Sequence, residues 1–168
     1  MMWFRSHRFD APSALIADRH YSRRKVGSPQ FVPPGRCLVL RAETDTGRAL
    51  WVTSWPFAEY VRHEWAGAWV CSLFRNEGAG RASTLIRQAL AATRAEFGDP
   101  PPLGIVTFVM PDKVRPKADP GHTFVIAGFR PCGHTKGGLT ALQMLPGPRM
   151  PAAQPAPLQV DERQGVLL

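Results

Sequence analysis

The sequence predicts an α/β or α+β domain with a mixed, mostly antiparallel sheet flanked by helices. Three observations support this fold class. Two apolar runs joined by a short polar turn indicate a β-hairpin, a third run leads through a glycine-bearing turn into an amphipathic helix, and two strand-like runs follow. The predicted order is therefore a hairpin, a strand, a helix, a strand, a short helix and a last strand.

The hairpin is predicted from residues 37–42 and 49–55, whose side chains are mainly aliphatic, aromatic or β-branched. The sequence between them, Thr-Asp-Thr-Gly-Arg at residues 44–48, has the composition of a tight turn. Upstream, residues 11–17 predict a short helix that Asp10 or Ser13 would cap. These elements form the first half of the expected sheet and one of its covering helices.

The central feature of the chain is a joint between a strand and a helix. Residues 69–74 are typical of a buried strand, and after residues 75–81 a helix of period 3.6 is expected until Gly98. Its apolar face consists of Leu85, Ile86, Ala89, Leu90, Thr93 and Phe97. The first amides of a helix lack internal acceptors and favour anions, and Gly78 and Gly80 allow a phosphate to approach closely. A phosphate site and an ordinary solvated turn both fit this pattern.

The second half of the chain predicts two more strands, at residues 103–109 and 139–145, and a short helix at residues 122–127. We expect residues 1–145 to form a single domain. From residue 146 the chain is rich in proline, alanine and glutamine, so residues 146–168 are predicted to be a disordered tail.

Composition favours a polyanionic partner. The 168 residues carry a formal net charge of +8 and the pI is about 10.3, with one local basic cluster at Arg23, Arg24 and Lys25. The three cysteines, Cys37, Cys71 and Cys132, have no CxxC spacing, which fits a reducing compartment better than a disulfide framework. Neither a membrane span nor a signal peptide is apparent, so we expect a soluble, cytoplasmic protein.

The loop at the strand–helix joint resembles that of the GNAT acyltransferases. Arg75-x-x-Gly78-x-Gly80 is similar to their Gln/Arg-x-x-Gly-x-Gly/Ala loop, whose amides hold the pyrophosphate of acetyl-CoA. The resemblance implies a GNAT-like sheet that is splayed near its centre, with residues 127–129 as the turn before the last strand. It also implies acetyl-CoA as cofactor. The cofactor-binding residues it implies are Arg75, Asn76, Gly78, Ala79, Gly80 and Arg81.

Within that fold, the chain resembles the Mom-type phage DNA modification proteins, which modify adenine N6. The similar stretches are residues 20–22, 73–86, 107–115 and 120–138. The resemblance implies a DNA-modifying transferase with an anti-restriction role, acting on double-stranded DNA in the cytoplasm of a phage-infected or prophage-carrying bacterium. The catalytic residues it implies are His20, Tyr21, Ser83 and Asp112. His122 stands where a tyrosine is expected, and the resemblance leaves iron bound by His20, Tyr21 and Asp112 as an option.

The residues that the resemblance implies suit the modification of adenine N6. Adenine N6 is a poor nucleophile and has to be unstacked, so Tyr21 or a nearby tryptophan would stack on the base while His20 or Asp112 takes a proton. The residues expected to hold the DNA phosphates are Arg23, Arg24, Lys25, Lys113 and Arg115. Two other functions stay open: an ordinary GNAT N-acetyltransferase acting on a protein or small-molecule amine, and a non-catalytic nucleic-acid-binding module.

Overall fold

The structure is a computed structural model that describes residues 1–110, 121–161 and 166–167. Residues 160, 161, 166 and 167 are described by their backbone alone. The helices are α1 (Ala11–Asp18), α2 (Ala82–Phe97) and α3 (His122–Ala127), with a 3-10 turn at Ala58–Tyr60. The strands are β1 (Phe4–Arg5), β2 (Arg36–Thr44), β3 (Gly47–Trp55), β4 (Trp69–Glu77), β5 (Ile105–Val109), β6 (Arg130–His134), β7 (Thr140–Met144), β8 (Val160–Asp161) and β9 (Val166–Leu167).

Seven of the strands in the described ranges form one mixed sheet in the order β1-β2-β3-β4-β5-β7-β6. Every neighbouring pair is antiparallel except β4 and β5, which run parallel because α2 connects them across one face of the sheet. β7 lies between β5 and β6, so the last two strands are not in chain order. Among the described strands, β8 and β9 form a separate antiparallel pair. The predicted fold class, a mixed and mostly antiparallel sheet with helices, is confirmed.

The hairpin is longer than predicted and ends at a tight contact with β4. β2 and β3 pair without a break from Arg36 opposite Trp55 to Thr44 opposite Gly47. A Cβ atom at Gly47 would lie 2.0 Å from the carbonyl oxygen of Glu77, so only glycine fits there. The hairpin tip is thereby packed against the end of β4, next to the strand–helix joint.

α2 covers one face of the sheet, and its bounds are those expected from the sequence. Its apolar stripe is buried, and it ends at Gly98, which has a φ of +83°. The other face is covered over β2, β3 and β4 by α1 and the chain that follows it, where Ile16, Phe31 and Val32 pack on Leu50 and Leu73. In the described part of the chain, none of the helices combines the length and hydropathy needed to cross a lipid bilayer.

Residues 146–159, which we expected to be disordered, follow α2 in an ordered path. Met150 is only 5% exposed and belongs to the main core. The side chain of Arg94 donates to the Pro151 carbonyl (2.9 Å), and the Gln154 amide donates to the Ala91 carbonyl (3.0 Å). Composition was misleading because these prolines lie in a segment that hydrogen bonds to Ala91 and Arg94 of α2 stabilise.

Two elements of the sheet were missed by the sequence analysis. Residues 127–129 form the expected turn, but β6 follows them directly and forms the edge of the sheet beside β7. β1 was missed as well, since a two-residue strand carries no periodicity. Both are edge strands, whose pairing depends on a neighbour rather than on their own side chains.

The packing of residue 150 gives a first prediction. Met150→Ala should lower the free energy of unfolding by about 2–4 kcal/mol, since it removes a buried thioether side chain and leaves a cavity. Chemical denaturation measures this. Leu145→Ala, at a side chain that is 56% exposed, is the control and should cost less than about 0.5 kcal/mol. An equally small effect at Met150 would mean that the segment is not packed in solution.

Candidate active site

The candidate site lies where the two parallel strands separate. β4 and β5 are paired at only three positions, the last being Cys71 opposite Thr107. At the same point the register between β3 and β4 shifts, because Val52 lies opposite Leu73 but Thr53 lies opposite Cys71. Ser72 is therefore an extra residue in β4, a β-bulge of the kind that bends a strand and ends its pairing. Beyond the bulge, β4 continues along β3 and leaves β5.

His20 and Tyr21 cover the gap between the separated strands. They follow α1 directly, and their rings stack with centroids 4.2 Å apart. The small cleft beneath them is lined by His20, Tyr21, Cys71, Ser72, Leu73, Phe74, Thr107, Phe108, Val109 and Phe124. The phenol of Tyr21 lies near the backbone N–H of Met110, just after β5; burial raises the pKa of Tyr21, and that amide lowers it by less. The pair thus connects the end of α1 with the ends of both central strands.

His20 is held as a neutral imidazole with a defined tautomer. Its Nδ1 accepts from the Ser22 backbone N–H (3.1 Å) and lies 2.7 Å from the Ser22 hydroxyl. Burial, and after it the positive charge of Arg75, lowers the pKa of His20 to about 4. At neutral pH the ring is therefore uncharged, with the proton on Nε2.

Three charged side chains join α1 to the end of β4. Arg19 donates two hydrogen bonds to the carboxylate of Glu77, both of 2.6 Å, and Arg75 Nε donates a third (2.7 Å). These bonds, that of Arg19 first, lower the pKa of Glu77 to about 2. Arg75, which we expected to contact a cofactor, is paired with Glu77 through its Nε. The ion cluster of Arg19, Glu77 and Arg75 fixes His20 and Tyr21 relative to the strand–helix joint.

The joint itself is a preformed loop. The Asn76 side chain accepts from the Ala79 amide (3.0 Å) and donates to the Gly80 carbonyl (2.8 Å), while Gly78 adopts a φ of +84°. Asn76 and Ala79 were predicted to bind cofactor, but their polar groups are used in shaping the loop. Arg81 is exposed at the helix start.

The start of α2 offers amides that have no internal acceptor. The first intrahelical hydrogen bond is donated by Leu85 to the Arg81 carbonyl (3.0 Å), so the N–H groups of residues 82–84 precede the ladder. No acceptor for them exists among residues 1–110 and 121–159. Ser83 lies on the buried face of this turn, and no hydrogen bond joins it to His20 or Tyr21. The structure thus does not bring Ser83 together with the other predicted catalytic residues.

The predicted phosphate contacts differ in their availability. Arg23 points inward: its guanidinium donates to Asp18 (2.8 Å), to the Gln30 carbonyl (2.7 Å) and to the Ser28 carbonyl. It therefore holds the loop after α1 and is not free for DNA. Arg24 and Lys25 are exposed, and His122 is exposed at the start of α3. Asp112, Lys113 and Arg115 lie outside the described residues.

No resident metal can be assigned from these residues. Within the described ranges, no group of three or more histidine, cysteine, aspartate or glutamate side chains is arranged to hold a metal ion. Nδ1 of His20 already bonds Ser22, and Asp112 lies outside the described residues. We therefore derive no step through iron.

Comparisons with known proteins give no family assignment: no family model, curated protein or solved structure matches the chain significantly. The site rests on its own geometry, which also contains residues that the sequence analysis left without a role. Arg19 and Ser22 flank the His-Tyr pair in the sequence, and this adjacency could have identified them as candidate site residues. Glu77 and Ser72 carry no such signal, because an ion pair across 58 positions and a bulge both depend on the fold.

The ion cluster should make stability depend on acid. The pKa of Glu77 is about 2, below its ordinary 4.5, so its contribution is present above pH 4.5 and is lost as pH falls toward 2. Because Arg19 is 44% exposed, solvent screening limits that contribution to about 1–2 kcal/mol. Denaturation from pH 2 to 7 should show a shallower pH dependence in Glu77→Gln than in wild type. Parallel curves would contradict the ion cluster.

The neutrality of His20 is testable by NMR. Its imidazole should titrate near pH 4 in the folded protein. Arg75→Gln should raise that midpoint but leave it below the ordinary 6.5, because burial is the larger cause. The urea-unfolded chain provides the reference. A folded midpoint near 6.5 would show that the ring is solvated in solution and not buried at the gap.

Proposed function

We propose that the chain is a DNA-modifying transferase of the GNAT fold that acts on adenine N6 and uses acetyl-CoA. One observation carries the proposal: the parallel strands β4 and β5 separate after Cys71, β4 continues to a preformed Gly78–Gly80 loop, and His20 and Tyr21 cover the gap. The strand order, with β7 inserted between β5 and β6, supports a GNAT-like arrangement. The proposal unites the anion-binding loop with the histidine–tyrosine pair.

The loop and the start of α2 would hold the cofactor. The amides of residues 82–84 have no acceptor among the described residues, and the helix dipole and the exposed Arg81 favour a diphosphate there. A Cβ atom at Gly80 would lie 3.0 Å from the sulfur of the flexible Met2 side chain, so that side chain would have to move aside for a phosphate to approach the backbone there. When bound, acetyl-CoA supplies an activated acyl thioester.

His20 and Ser22 would handle the proton of the amine. A neutral amine that attacks an acyl group becomes positively charged and has to lose a proton. The Ser22 hydroxyl can accept that proton while donating its own to Nδ1 of His20, 2.7 Å away. A pKa of about 4 makes His20 a weak base, so it would hold the proton only transiently. As the bond between the acyl carbon and sulfur breaks, that proton would pass to the departing thiolate, so the products are the acylated amine and a free thiol. Tyr21, stacked on His20, would position the amine.

DNA is the polyanion that best fits the surface around this site. The chain carries a net charge of +8, and Arg24 and Lys25 are exposed just after the histidine–tyrosine pair. Tyr21 is 40% exposed and can stack on an unstacked base. An adenine amine has to leave the duplex stack to reach a buried gap, which agrees with a base-flipping enzyme.

The proposal is tested by mass spectrometry of nucleosides from DNA of cells that express the protein. Wild type should produce a modified adenine, and Tyr21→Phe and His20→Ala should reduce it by about 100-fold, the typical effect of losing acid–base or positioning groups. Tyr60→Phe is the matched control, because it removes the same hydroxyl from a tyrosine that is 77% exposed and has no role in the proposed site. An unmodified nucleoside profile with wild type would reject the DNA-modifying function.

Calorimetry with CoA separates the remaining functions. Wild type should bind CoA, and Gly78→Ala should weaken binding, since its Cβ would lie 3.0 Å from the Thr46 carbonyl oxygen in a left-handed conformation. Gly98→Ala has the same backbone strain without any atom within 4 Å, so it should bind like wild type. CoA binding without modified DNA favours an ordinary GNAT N-acetyltransferase, and no CoA binding favours a nucleic-acid-binding module.

A further inference from the structure

A second, larger cavity lies on the α1 face of the sheet, beside the gap. Its volume is about 480 Å³, within the range of small-molecule sites. Phe31, Val32 and Leu73 form an apolar floor, and the exposed Arg24 lies at its rim. The cleft under His20 and Tyr21 is far smaller, about 20 Å³. Of the two, only this α1-face cavity has room for a heteroaromatic ring.

The wall of the α1-face cavity is built by internal bonds. Arg23 lines it, and the guanidinium joins Asp18 to the carbonyls of Ser28 and Gln30, which closes the loop after α1. Prolines at 33 and 34 stiffen the opposite part of the lining. A cavity held open in this way does not have to be ordered when a ligand binds, which favours binding.

Ser72 supplies an unsatisfied hydroxyl at the junction of the two spaces. Its Oγ is buried and has no hydrogen-bonding partner among the described residues. Leaving a buried hydroxyl unpaired is unfavourable, so its presence calls for an explanation. Ser72 is the bulge residue, and it lines both the α1-face cavity and the cleft beneath His20. The bulge thus sets a polar group at the point where a ligand would pass from one space to the other.

Ser22 connects the same cavity to the neutral histidine. It lines the cavity, and its hydroxyl lies 2.7 Å from Nδ1 of His20. The α1-face cavity therefore combines an apolar floor, two hydroxyl groups near the gap and a cation at the rim. A flat ring with a polar edge, attached to a phosphate, complements these three features.

We propose that the α1-face cavity binds the nucleobase of a nucleotide, with the Ser72 hydroxyl as a direct contact to the polar edge of the base. Arg24 then contacts the phosphate, and the edge of the base faces Ser22 and His20. This inference rests on the proposed function, because it identifies where the base to be modified is held. Ser72 is a binding residue in this arrangement, not a proton carrier.

The probe is deoxyadenosine 5′-monophosphate, titrated by NMR against deoxyribose 5-phosphate, which lacks the base. Wild type should bind the nucleotide more tightly, with shifts at Ser22 and Ser72. Ser72→Ala should weaken nucleotide binding about threefold to tenfold, as expected for one lost hydrogen bond, and leave the sugar phosphate unaffected. Ser72→Thr, which keeps the hydroxyl, should restore binding.

Stability distinguishes a ligand contact from a structural hydroxyl. Since Ser72 Oγ has no partner to lose, Ser72→Ala should unfold at the same or a higher denaturant concentration than wild type. A destabilised Ser72→Ala variant, or equal affinity for the nucleotide and the sugar phosphate, would overturn the inference. Modified DNA and CoA binding are measured separately, so the inference can fail while the proposed function stands.

Discussion

One extra residue in a central strand determines the layout of this protein. The bulge at Ser72 falls where β4 ends its pairing with β5, so the two parallel strands separate after Cys71 and Thr107. A regular β4 would continue the ladder and close the sheet at its centre. The gap that results gives access to the interior from the α1 face, while α2 covers the opposite face.

The second constraint is electrostatic and joins the helix α1 to the end of the strand β4. Arg19 and Arg75 share the carboxylate of Glu77, which fixes the end of α1 on the end of β4. The two bonds from Arg19 are in bidentate geometry, the arrangement in which arginine and a carboxylate orient each other best. Arg23, four residues after Arg19, likewise forms internal bonds, to Asp18 and to the carbonyls of Ser28 and Gln30. Basic residues that look like a nucleic-acid cluster in the sequence are thus divided between internal supports and exposed charges.

The sequence analysis succeeded where the information is local. The bounds of α2 were predicted because its apolar stripe and Gly98 are visible within one window, and the hairpin was predicted from its turn residues. It failed for residues 146–159, where composition suggested disorder but Met150 packs into the core. For the site, the roles of His20, Tyr21 and the loop stay predictions. The internal hydrogen bonds of Arg75, Asn76 and Ala79 could not be foreseen, because their partners depend on the folded loop.

By itself, the sequence determined the fold class, the main helix and the chemical character of two segments: a basic histidine–tyrosine stretch and a glycine loop before a helix. Only the tertiary structure decided that these segments meet and that β7 lies between β5 and β6. It also decided that the bulge at Ser72 falls where β4 stops pairing with β5. The physical reason is the separation along the chain between the residues that interact. Periodicity and turn chemistry depend on near neighbours, whereas an ion pair between Arg19 and Glu77 forms only after the chain has folded.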